Sequence, residues 1–262
     1  MEQYYNIAFI GAGNLAWHLA PELENIGHKV SLVNNRTKKN ATTLIDRLYN
    51  ASYKKNLDFS RSEVDAIIIA VKDSYIRDIV SEIIIPEHCS LFHTSGTQPM
   101  DILEISAADH YGVLYPLQTF TRGVKVNFRE TPIFIEANGD HAFRILQDLT
   151  KGISKNIYKI SSDQRSILHL SAVIASNFSN HMLTIAKSLM DENNMDFKLL
   201  ENLVLSMFHK AFAIGPENGQ TGPAVREDHD TLKKHLKLLK ENRDVQKIYS
   251  HISEHIIYTY QK

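Results

Sequence analysis

The stretch "YNIAFIGAGNLAWHLAPELENIG", residues Tyr5–Gly27, decides the fold of the first half of the chain. Its opening residues form a short apolar run that stops at Gly11, which predicts a buried strand. The residues after the glycines repeat apolar side chains at helical spacing, and Gly27 suits the C-terminal end of that helix. The apolar positions of the helix are Leu15, Leu19, Leu23 and Ile26. The stretch therefore predicts a strand, a glycine turn and a helix.

The alternation of strand and helix continues through the first 161 residues. "KVSLVN" predicts a second strand, and "VDAIIIAV" at 64–71 predicts a strand that is apolar on both faces, as in the centre of a parallel sheet. Further strands are predicted in "CSLFHTSG", "YGVLYPL" and "TPIFIEA", and further helices in "KKNATTLIDRLYN" and "DSYIRDIVSEII". This order predicts the α/β class, with a doubly wound (Rossmann) parallel sheet that ends near Ser161.

The character of the sequence changes at residue 162. From there we find no strand pattern, and residues 162–193 form one long helical pattern with a broad apolar stripe. "DFKLLENLVLSMFHKAFAI" predicts a second helix, "GPENGQTGP" a loop, and residues 227–242 and 243–262 two closing helices. We therefore expect two domains, an α/β domain at 1–161 and an all-helical domain at 162–262.

Composition excludes several classes of protein. The chain has 262 residues, 43% of them hydrophobic, 23% charged, and a net charge of −1, which fits a globular protein and gives no general attraction to nucleic acid or anionic lipid. The single Cys89 excludes an internal disulfide, and the 13 histidines show no zinc-ligand spacing, so we expect no metal. There is no signal-peptide pattern and no apolar run near the ~20 residues of a membrane span, so we expect a cytoplasmic protein.

The glycine turn has the pattern G-x-G-x-x-A at Gly11, Gly13 and Ala16. Gly11 permits a tight turn, Gly13 lets a pyrophosphate approach the backbone, and Ala16 keeps the helix close to the sheet. The helix N-terminus adds free N–H groups and partial positive charge. A tight turn without a ligand is the alternative, but the flanking strand and helix are the context that dinucleotide binding requires. The predicted cofactor contacts here are Gly11, Ala12, Gly13, Asn14 and Leu15.

No acidic residue stands at the end of the second strand, where "NNRTKK" spans residues 34–39. An NAD site places Asp or Glu there to accept hydrogen bonds from ribose hydroxyls, and that carboxylate repels a 2′-phosphate. Asn34 removes the repulsion, while Arg36 and Thr37 can bind the phosphate. Alternatively, Thr37 caps a helix and the lysines are solvated. The corner predicts NADP as the cofactor, with contacts from Asn34, Asn35, Arg36 and Thr37.

Four motifs beyond the turn follow in order along the chain. They are "HTSG" at 93–96, "PLQTF" at 116–120, "SNF" at 176–178, and "TGP" at 221–223 followed by Arg226. Together with "FIGAGNLA", "NNRT" and "AVKD", they resemble the branch of Rossmann-type oxidoreductases that carries a DUF2520 C-terminal domain. Related families are pyrroline-5-carboxylate reductase, F420-dependent NADP oxidoreductase-like proteins and the 6-phosphogluconate and β-hydroxyacid dehydrogenases. The resemblance covers nearly the whole chain.

The resemblance implies an NAD(P)-dependent oxidoreductase with a helical domain of the 6-phosphogluconate dehydrogenase C-terminal type. It also implies a homodimer formed through that domain and an active site between the domains. The "AVKD" motif adds Ala70, Val71 and Lys72 to the predicted cofactor contacts.

The chain departs from these families at three places. Tyr115 precedes Pro116 where the branch usually has His, and Arg226 is followed by Glu227 where the branch has Gly. The β-hydroxyacid dehydrogenases carry a lysine one turn before the asparagine of the long helix, and Val173 stands there in this chain. The departure at Val173 counts against lysine-assisted alcohol oxidation.

Five residues are candidates for the chemistry. His93 and Ser95 follow a strand at the ligand-binding edge, so His93 can transfer a proton and Ser95 can bind a carbonyl or hydroxyl. Alternatively, His93 and Thr94 cap the next helix and the loop only shapes the cofactor pocket. On the long helix, His169 and Asn177 lie on one polar stripe, and the stretch "LSAVIASNF" at 170–178 is small and apolar, which suggests burial beside substrate rather than solvation. Arg226 can bind a substrate carboxylate, or the loop is merely an interhelical connection.

These observations predict an NADP(H)-dependent oxidoreductase. It would transfer a hydride to or from a small polar carbonyl, imine or hydroxy compound, with no nucleic-acid or membrane partner. One alternative is a non-catalytic dinucleotide-binding dimer that senses redox state or acts as a scaffold. The other is an NAD-dependent β-hydroxyacid dehydrogenase-like enzyme, against which the missing lysine and the missing acid both argue.

Overall fold

The computed structural model describes residues 3–261. The first two residues of the N-terminal segment and the last residue of the final predicted helix lie outside this range. The chain forms two compact units, Met1–Ala175 and Ser176–Lys262. The sequence changes character at residue 162, where a helix does begin, whereas the compact units divide within the helical stretch that follows. The domain boundary at 161 stays a prediction.

An eight-stranded sheet forms the centre of the first unit. Its strands are β1 (Asn6–Ile10), β2 (Lys29–Asn34), β3 (Ser52–Lys54), β4 (Ala66–Ile69), β5 (Ser90–His93), β6 (Tyr111–Pro116), β7 (Ile133–Ala137) and β8 (Ile157–Lys159). Their order is β3-β2-β1-β4-β5-β6-β7-β8, so the order reverses between β1 and β4. The predicted α/β class and Rossmann-type sheet are confirmed. The short, polar β3 lies at the edge, and its sequence gave no strand pattern.

The sheet is mostly parallel, with one exception that the sequence analysis did not anticipate. Strand β7 runs antiparallel to β6, while all the other neighbouring pairs are parallel. Parallel neighbours need a crossover connection, usually a helix. The segment between β6 and β7 contains only a short 3-10 turn at Phe128–Glu130, so the chain returns without crossing over.

Helices cover both faces of the sheet: α1 (Asn14–Asn25), α2 (Lys38–Ile45), α3 (Ile76–Glu82) and α4 (Asp140–Lys151). The central strands divide their side chains between two cores. Ile7 and Phe9 of β1 pack in one core, with α1, α2 and α4, and Ala8 and Ile10 pack in the other, with α3. This alternation is the two-residue period of a strand that is buried on both faces.

The remaining helices follow the predicted pattern closely. Helix α5 spans Ser162–Ala172, a π-helical segment spans Val173–Phe178, and α6 spans Ser179–Glu192. The second unit continues with α7 (Glu201–Ile214), the short α8 (Pro216–Gly219), α9 (His229–Leu238) and α10 (Arg243–Tyr260). A π-segment widens the helix by one residue per turn and is frequent at functional sites.

None of the described helices is long and apolar enough to cross a membrane. No group of three or more His, Cys, Asp or Glu side chains within residues 3–261 is arranged to hold a metal ion.

Candidate functional site

A cavity of about 1180 Å³ opens in the first unit at the carboxyl ends of the central strands. The strands end in register, since Ile10 pairs with Ile69 and Ile69 pairs with His93. Gly11, Ala70 and Thr94 therefore leave the sheet side by side, and all three line the cavity. This is the edge at which open α/β sheets bind ligands, beside the point where the strand order reverses.

The glycine turn forms one wall of the cavity. Gly11 has a φ of +107°, and a Cβ added to it would lie 2.2 Å from the carbonyl oxygen of Ala70, so only glycine fits there. A Cβ added to Gly13 would meet only the Ala70 carbonyl oxygen, at 3.9 Å, which leaves room for a ligand to approach. Gly13 also caps α1, whose first N–H groups have no acceptor within the helix. The turn has the shape and polarity that a pyrophosphate requires.

The corner after β2 lines the same cavity, and its two asparagines have different partners. Asn34 is buried, with 8% of its surface exposed, and its amide donates to the carbonyls of Lys54 at 2.9 Å and Asn56 at 3.3 Å. Asn35 accepts a hydrogen bond from the N–H of Ala12 and donates to the carbonyl of Thr37. Asn34 therefore fixes the corner to the end of β3, and Asn35 fixes it to the glycine turn.

Arg36 and Thr37 are exposed at the mouth of this corner. The Arg36 guanidinium donates to the hydroxyl of Tyr75 at 3.2 Å and lies 5.4 Å from the centre of that ring. Thr37 is the N-cap residue of α2, as the alternative expects, but its side chain makes no capping hydrogen bond, so its hydroxyl can serve a ligand.

The cavity lining also contains both signs of charge. Lys55 and Lys72 are cationic, and Asp58, Asp78 and Glu82 are anionic. The pKa of Asp58 is lowered, chiefly by hydrogen bonds from the side chain and backbone of Ser60. Ala70 and Val71, the other residues predicted from the "AVKD" motif, line the cavity with Lys72.

His93 and Ser95 hold the turn after β5. His93 is fully buried, its Nδ1 accepts from the N–H of Ser95, and its Nε2 donates to the carbonyl of Pro99. Burial, with a contribution from the Arg165 guanidinium, lowers the pKa of His93 to about 3. The Ser95 hydroxyl accepts from the N–H groups of Thr97 and Gln98. The structure therefore favours the loop-shaping alternative for both residues.

His169, by contrast, lines the cavity and forms a pair with Tyr115. The Tyr115 hydroxyl lies 2.9 Å from Nδ1 of His169. A Cβ added to Gly96 would lie 2.5 Å from that same Nδ1, so the glycine of "HTSG" is what makes room for the ring. Gly96 and Tyr115 therefore both lie at the Nδ1 edge of the ring. Burial raises the pKa of the Tyr115 phenol, which keeps that hydroxyl protonated.

A buried ion pair between Arg165 and Glu136 holds the start of α5, the helix that carries His169. Arg165 has no exposed surface, and its guanidinium donates to Glu136 and to the carbonyl of Gln98. Glu136 also accepts from the backbone N–H and hydroxyl of Ser162, both at 2.8 Å. The ion pair joins β7, the loop after β5, and the start of α5. It therefore fixes the position of His169, which lies one turn further along α5.

Asn177 and Arg226 belong to the second unit, and both are exposed there. Asn177 lies in the π-helical segment, and Arg226 lies in the connection between α8 and α9. The expected burial of "LSAVIASNF" is wrong for this chain by itself, because Leu170, Ile174 and Phe178 are each more than half exposed. A small apolar stretch predicts that its side chains will be covered, but within one chain they are not.

Tyr115 is the main site residue to which the sequence analysis gave no chemical role. The signals that could have found it are its position near the end of β6, at the ligand-binding edge, and its place before Pro116, where the resembling branch usually has His. Tyr75 was not anticipated at all, because it meets Arg36 only through folding, 39 residues away.

Comparison with known families agrees with this geometry. Residues 6–90 match the family model described as "NADP oxidoreductase coenzyme F420-dependent", and residues 131–256 match that described as "Domain of unknown function (DUF2520)". No match was found among curated protein sequences.

Solved structures resemble the chain over nearly its full length. A Bacteroides fragilis protein described as a "putative NADP oxidoreductase" is 33% identical, with a TM-score of 0.88 and coverage of 97% of this chain and 98% of that one. The reductive aminase of Aspergillus terreus, in complex with NADPH and ethyl levulinate, is 12% identical with a TM-score of 0.73 and coverage of 98% and 95%. Plasmodium falciparum pyrroline carboxylate reductase with NADP bound is 14% identical, with a TM-score of 0.59 and coverage of 98% and 99%. The last two, at such low identity, show a shared fold.

The chain therefore belongs to the NADP oxidoreductase family, with a DUF2520 domain as its second part. Both the predicted class of enzyme and the predicted cofactor, NADP, are confirmed by this membership. An NAD-dependent β-hydroxyacid dehydrogenase-like enzyme and a non-catalytic binding protein are correspondingly less well supported.

Proposed function

We propose that this protein transfers a hydride between NADP(H) and a small polar carbonyl, imine or hydroxy compound, with His169 as the proton-transferring group. The observation that carries the proposal is the single cavity of about 1180 Å³. It extends from the glycine turn and the Asn34–Thr37 corner to the Tyr115–His169 pair. One cavity thus holds both a dinucleotide-binding wall and a proton donor.

The residues present fit NADP. The N-terminus of α1 and the open space before Gly13 suit the pyrophosphate, and Arg36 with Thr37 suits the 2′-phosphate. Asn34 puts no carboxylate at the end of β2, which supports NADP over NAD. Ala70, Val71 and Lys72 line the same cavity, with Ala70 and Val71 directly beside the glycine turn. When bound, NADPH supplies the hydride, and the protein supplies orientation and the proton.

The proton is assigned to Nε2 of His169. Tyr115 occupies Nδ1, so the transferred proton is placed on Nε2. In the direction of reduction, the donor is the imidazolium form of His169, which carries a hydrogen on each ring nitrogen. Its Nε2 gives a proton to the oxygen or nitrogen of the substrate, and the neutral ring that remains keeps its hydrogen on Nδ1 and donates it to the Tyr115 hydroxyl oxygen. Tyr115 holds the tautomer and the ring orientation. Imidazole is suited to this transfer because it can both donate and accept protons near neutral pH.

The substrate is proposed to be small and polar, since the cavity lining combines Thr94 and Gln118 with the aromatic Tyr115 and Phe120. Substrate contacts from Asn177 and Arg226, and an active site at the domain interface, stay predictions from the sequence. Lys72 is one of the cationic side chains of the cavity lining, and it favours substrates that carry a carboxylate.

The test is a turnover screen with NADPH against panels of small carbonyl and imine compounds, with and without a carboxylate. We expect oxidation of NADPH with members of one panel, and a loss of about 100-fold in kcat for His169→Asn with little change in the NADPH dissociation constant. His181→Asn is the matched control, since His181 is an exposed histidine of α6. Tight NADPH binding without turnover of any compound would favour the redox-sensor alternative.

We also propose that the protein is a homodimer formed through its helical unit. Helix α7 has no buried residue, although it carries Leu203, Met207 and Phe212, the last with 91% of its surface exposed. A helix this apolar gains stability only when its face is covered, and a second copy supplies the same face. Sedimentation should give a dimer for the wild type and a monomer for Phe212→Glu; a wild-type monomer at micromolar concentration would exclude the proposal.

A further inference from the structure

A loop that is more than 100 residues away in sequence contacts the glycine turn. We call residues 117–127, which follow β6, the strap. The strap makes three hydrogen bonds to the turn and the start of α1. The amide of Asn14 donates to the carbonyl of Phe120 at 2.9 Å, Nε2 of His18 donates to the carbonyl of Thr121 at 3.0 Å, and the Arg122 guanidinium donates to the carbonyl of Ala12.

Side chains hold both polar backbone atoms of Ala12, the residue between the two glycines of the turn. The N–H of Ala12 is bound by the side chain of Asn35, and its carbonyl is bound by Arg122. The peptide that joins Ala12 to Gly13 is planar and trans, so the Gly13 N–H points away from the Ala12 carbonyl. By holding that carbonyl, Arg122 fixes the orientation of the whole peptide and with it the direction of the N–H of Gly13, a residue that lines the cavity.

Arg122 is itself held in place. Its guanidinium lies 4.9 Å from the centre of the Trp17 ring, a cation–π distance. Arg47 stacks on the same ring at 4.1 Å, but it donates to the carbonyl of Trp17. The two arginines thus share one aromatic ring, and of these two Arg122 is the one bonded to the glycine turn.

We propose that Arg122 is a positioning residue for cofactor binding: by holding the Ala12 carbonyl, it orients the Gly13 N–H toward the cofactor pyrophosphate. The proposal deepens the function proposed above and rests on NADP binding in the cavity. Arg122 acts on the part that all nicotinamide dinucleotides share, whereas Arg36 acts on the 2′-phosphate that only NADP carries. The two arginines therefore have separable effects on binding.

The experiment is binding calorimetry of the full-length protein with three probes: NADPH, NADH and adenosine 2′-monophosphate, which has no pyrophosphate. For Arg122→Gln we expect about tenfold weaker binding of both NADPH and NADH, and unchanged binding of adenosine 2′-monophosphate. Arg122→Lys, which can still donate to the Ala12 carbonyl, should recover part of the loss. Arg47→Gln is the matched control, since it removes a stacking partner of Trp17 and should leave all three affinities unchanged.

Three results would overturn this inference, and one of them would overturn the proposed function as well. A wild type that binds none of the probes overturns the proposed function and this inference with it. A wild type that binds NADPH, together with an Arg122→Gln variant of unchanged affinity, overturns the inference alone. Equal weakening of all three probes in Arg122→Gln would also overturn it, because it would show that the strap only supports the fold.

Discussion

The substitution Asn34→Asp tests whether the side chain at position 34 holds the cofactor corner together, as its hydrogen bonds indicate. By the general rule, an acid at the end of the second strand should favour NAD. In this protein the Asn34 amide is buried and donates to two backbone carbonyls, of Lys54 and Asn56. A carboxylate cannot donate, so it would face two acceptors at about the same distances. We therefore expect a loss of stability rather than a clean change of cofactor.

The size of the loss follows from these contacts. Two neutral hydrogen bonds contribute about 1 kcal/mol each, and a buried charge left against acceptors costs on the order of another 1–3 kcal/mol. The sum is about 3–5 kcal/mol. At roughly 2–4 °C per kcal/mol for a domain of this size, the melting temperature of the first unit should fall by roughly 10 °C.

The loss should depend on pH in a defined direction. Burial and the two carbonyls raise the folded-state pKa of the introduced carboxyl above its unfolded value. Stability relative to the wild type is therefore best below the unfolded pKa and is lost as the pH rises through the folded pKa. Thermal unfolding followed by circular dichroism at about pH 4 and pH 7 measures this difference, with the smaller deficit expected at the lower pH.

Asn35→Asp is the matched control, because it adds the same charge one residue later and keeps an acceptor for the Ala12 N–H. It should lose much less stability. If Asn34→Asp unfolds like the wild type and gains NADH affinity, the reasoning is refuted, since the side chain at 34 would then be free to face the ligand.

Three further predictions concern the same cavity. Arg36→Ala should weaken NADPH binding about tenfold and NADH binding less than twofold by calorimetry, because it removes the exposed guanidinium that we propose binds the 2′-phosphate; equal losses would contradict the assignment. Gly96→Ala should lower kcat with little change in NADPH affinity, since the new Cβ would lie 2.5 Å from Nδ1 of His169; an unchanged kcat would show that the ring is not positioned there. Tyr115→Phe should lower kcat about tenfold with KM nearly unchanged, by loss of the hydrogen bond to His169, and a change in KM alone would indicate a binding role.

The sequence by itself determined the class of fold and one wall of the site. The apolar run 64–71 is typical of a strand in the middle of a parallel sheet. The glycines at 11 and 13 are the residues that a phosphate-binding turn between a strand and a helix requires. The corner at 34–37 likewise followed from residue type, because a carboxylate and a 2′-phosphate repel each other wherever they meet. These features are local, so each is encoded within a few residues.

Tertiary structure decided which polar side chains serve the cavity and which serve the fold. His93 and His169 are equally plausible proton donors in the sequence, yet burial and two backbone hydrogen bonds occupy His93, while His169 lines the cavity. Tyr115 reaches His169 across 54 residues, and Arg122 reaches Ala12 across 110. No local pattern encodes such contacts, because they depend on how strands that are distant in sequence end side by side at one edge of the sheet.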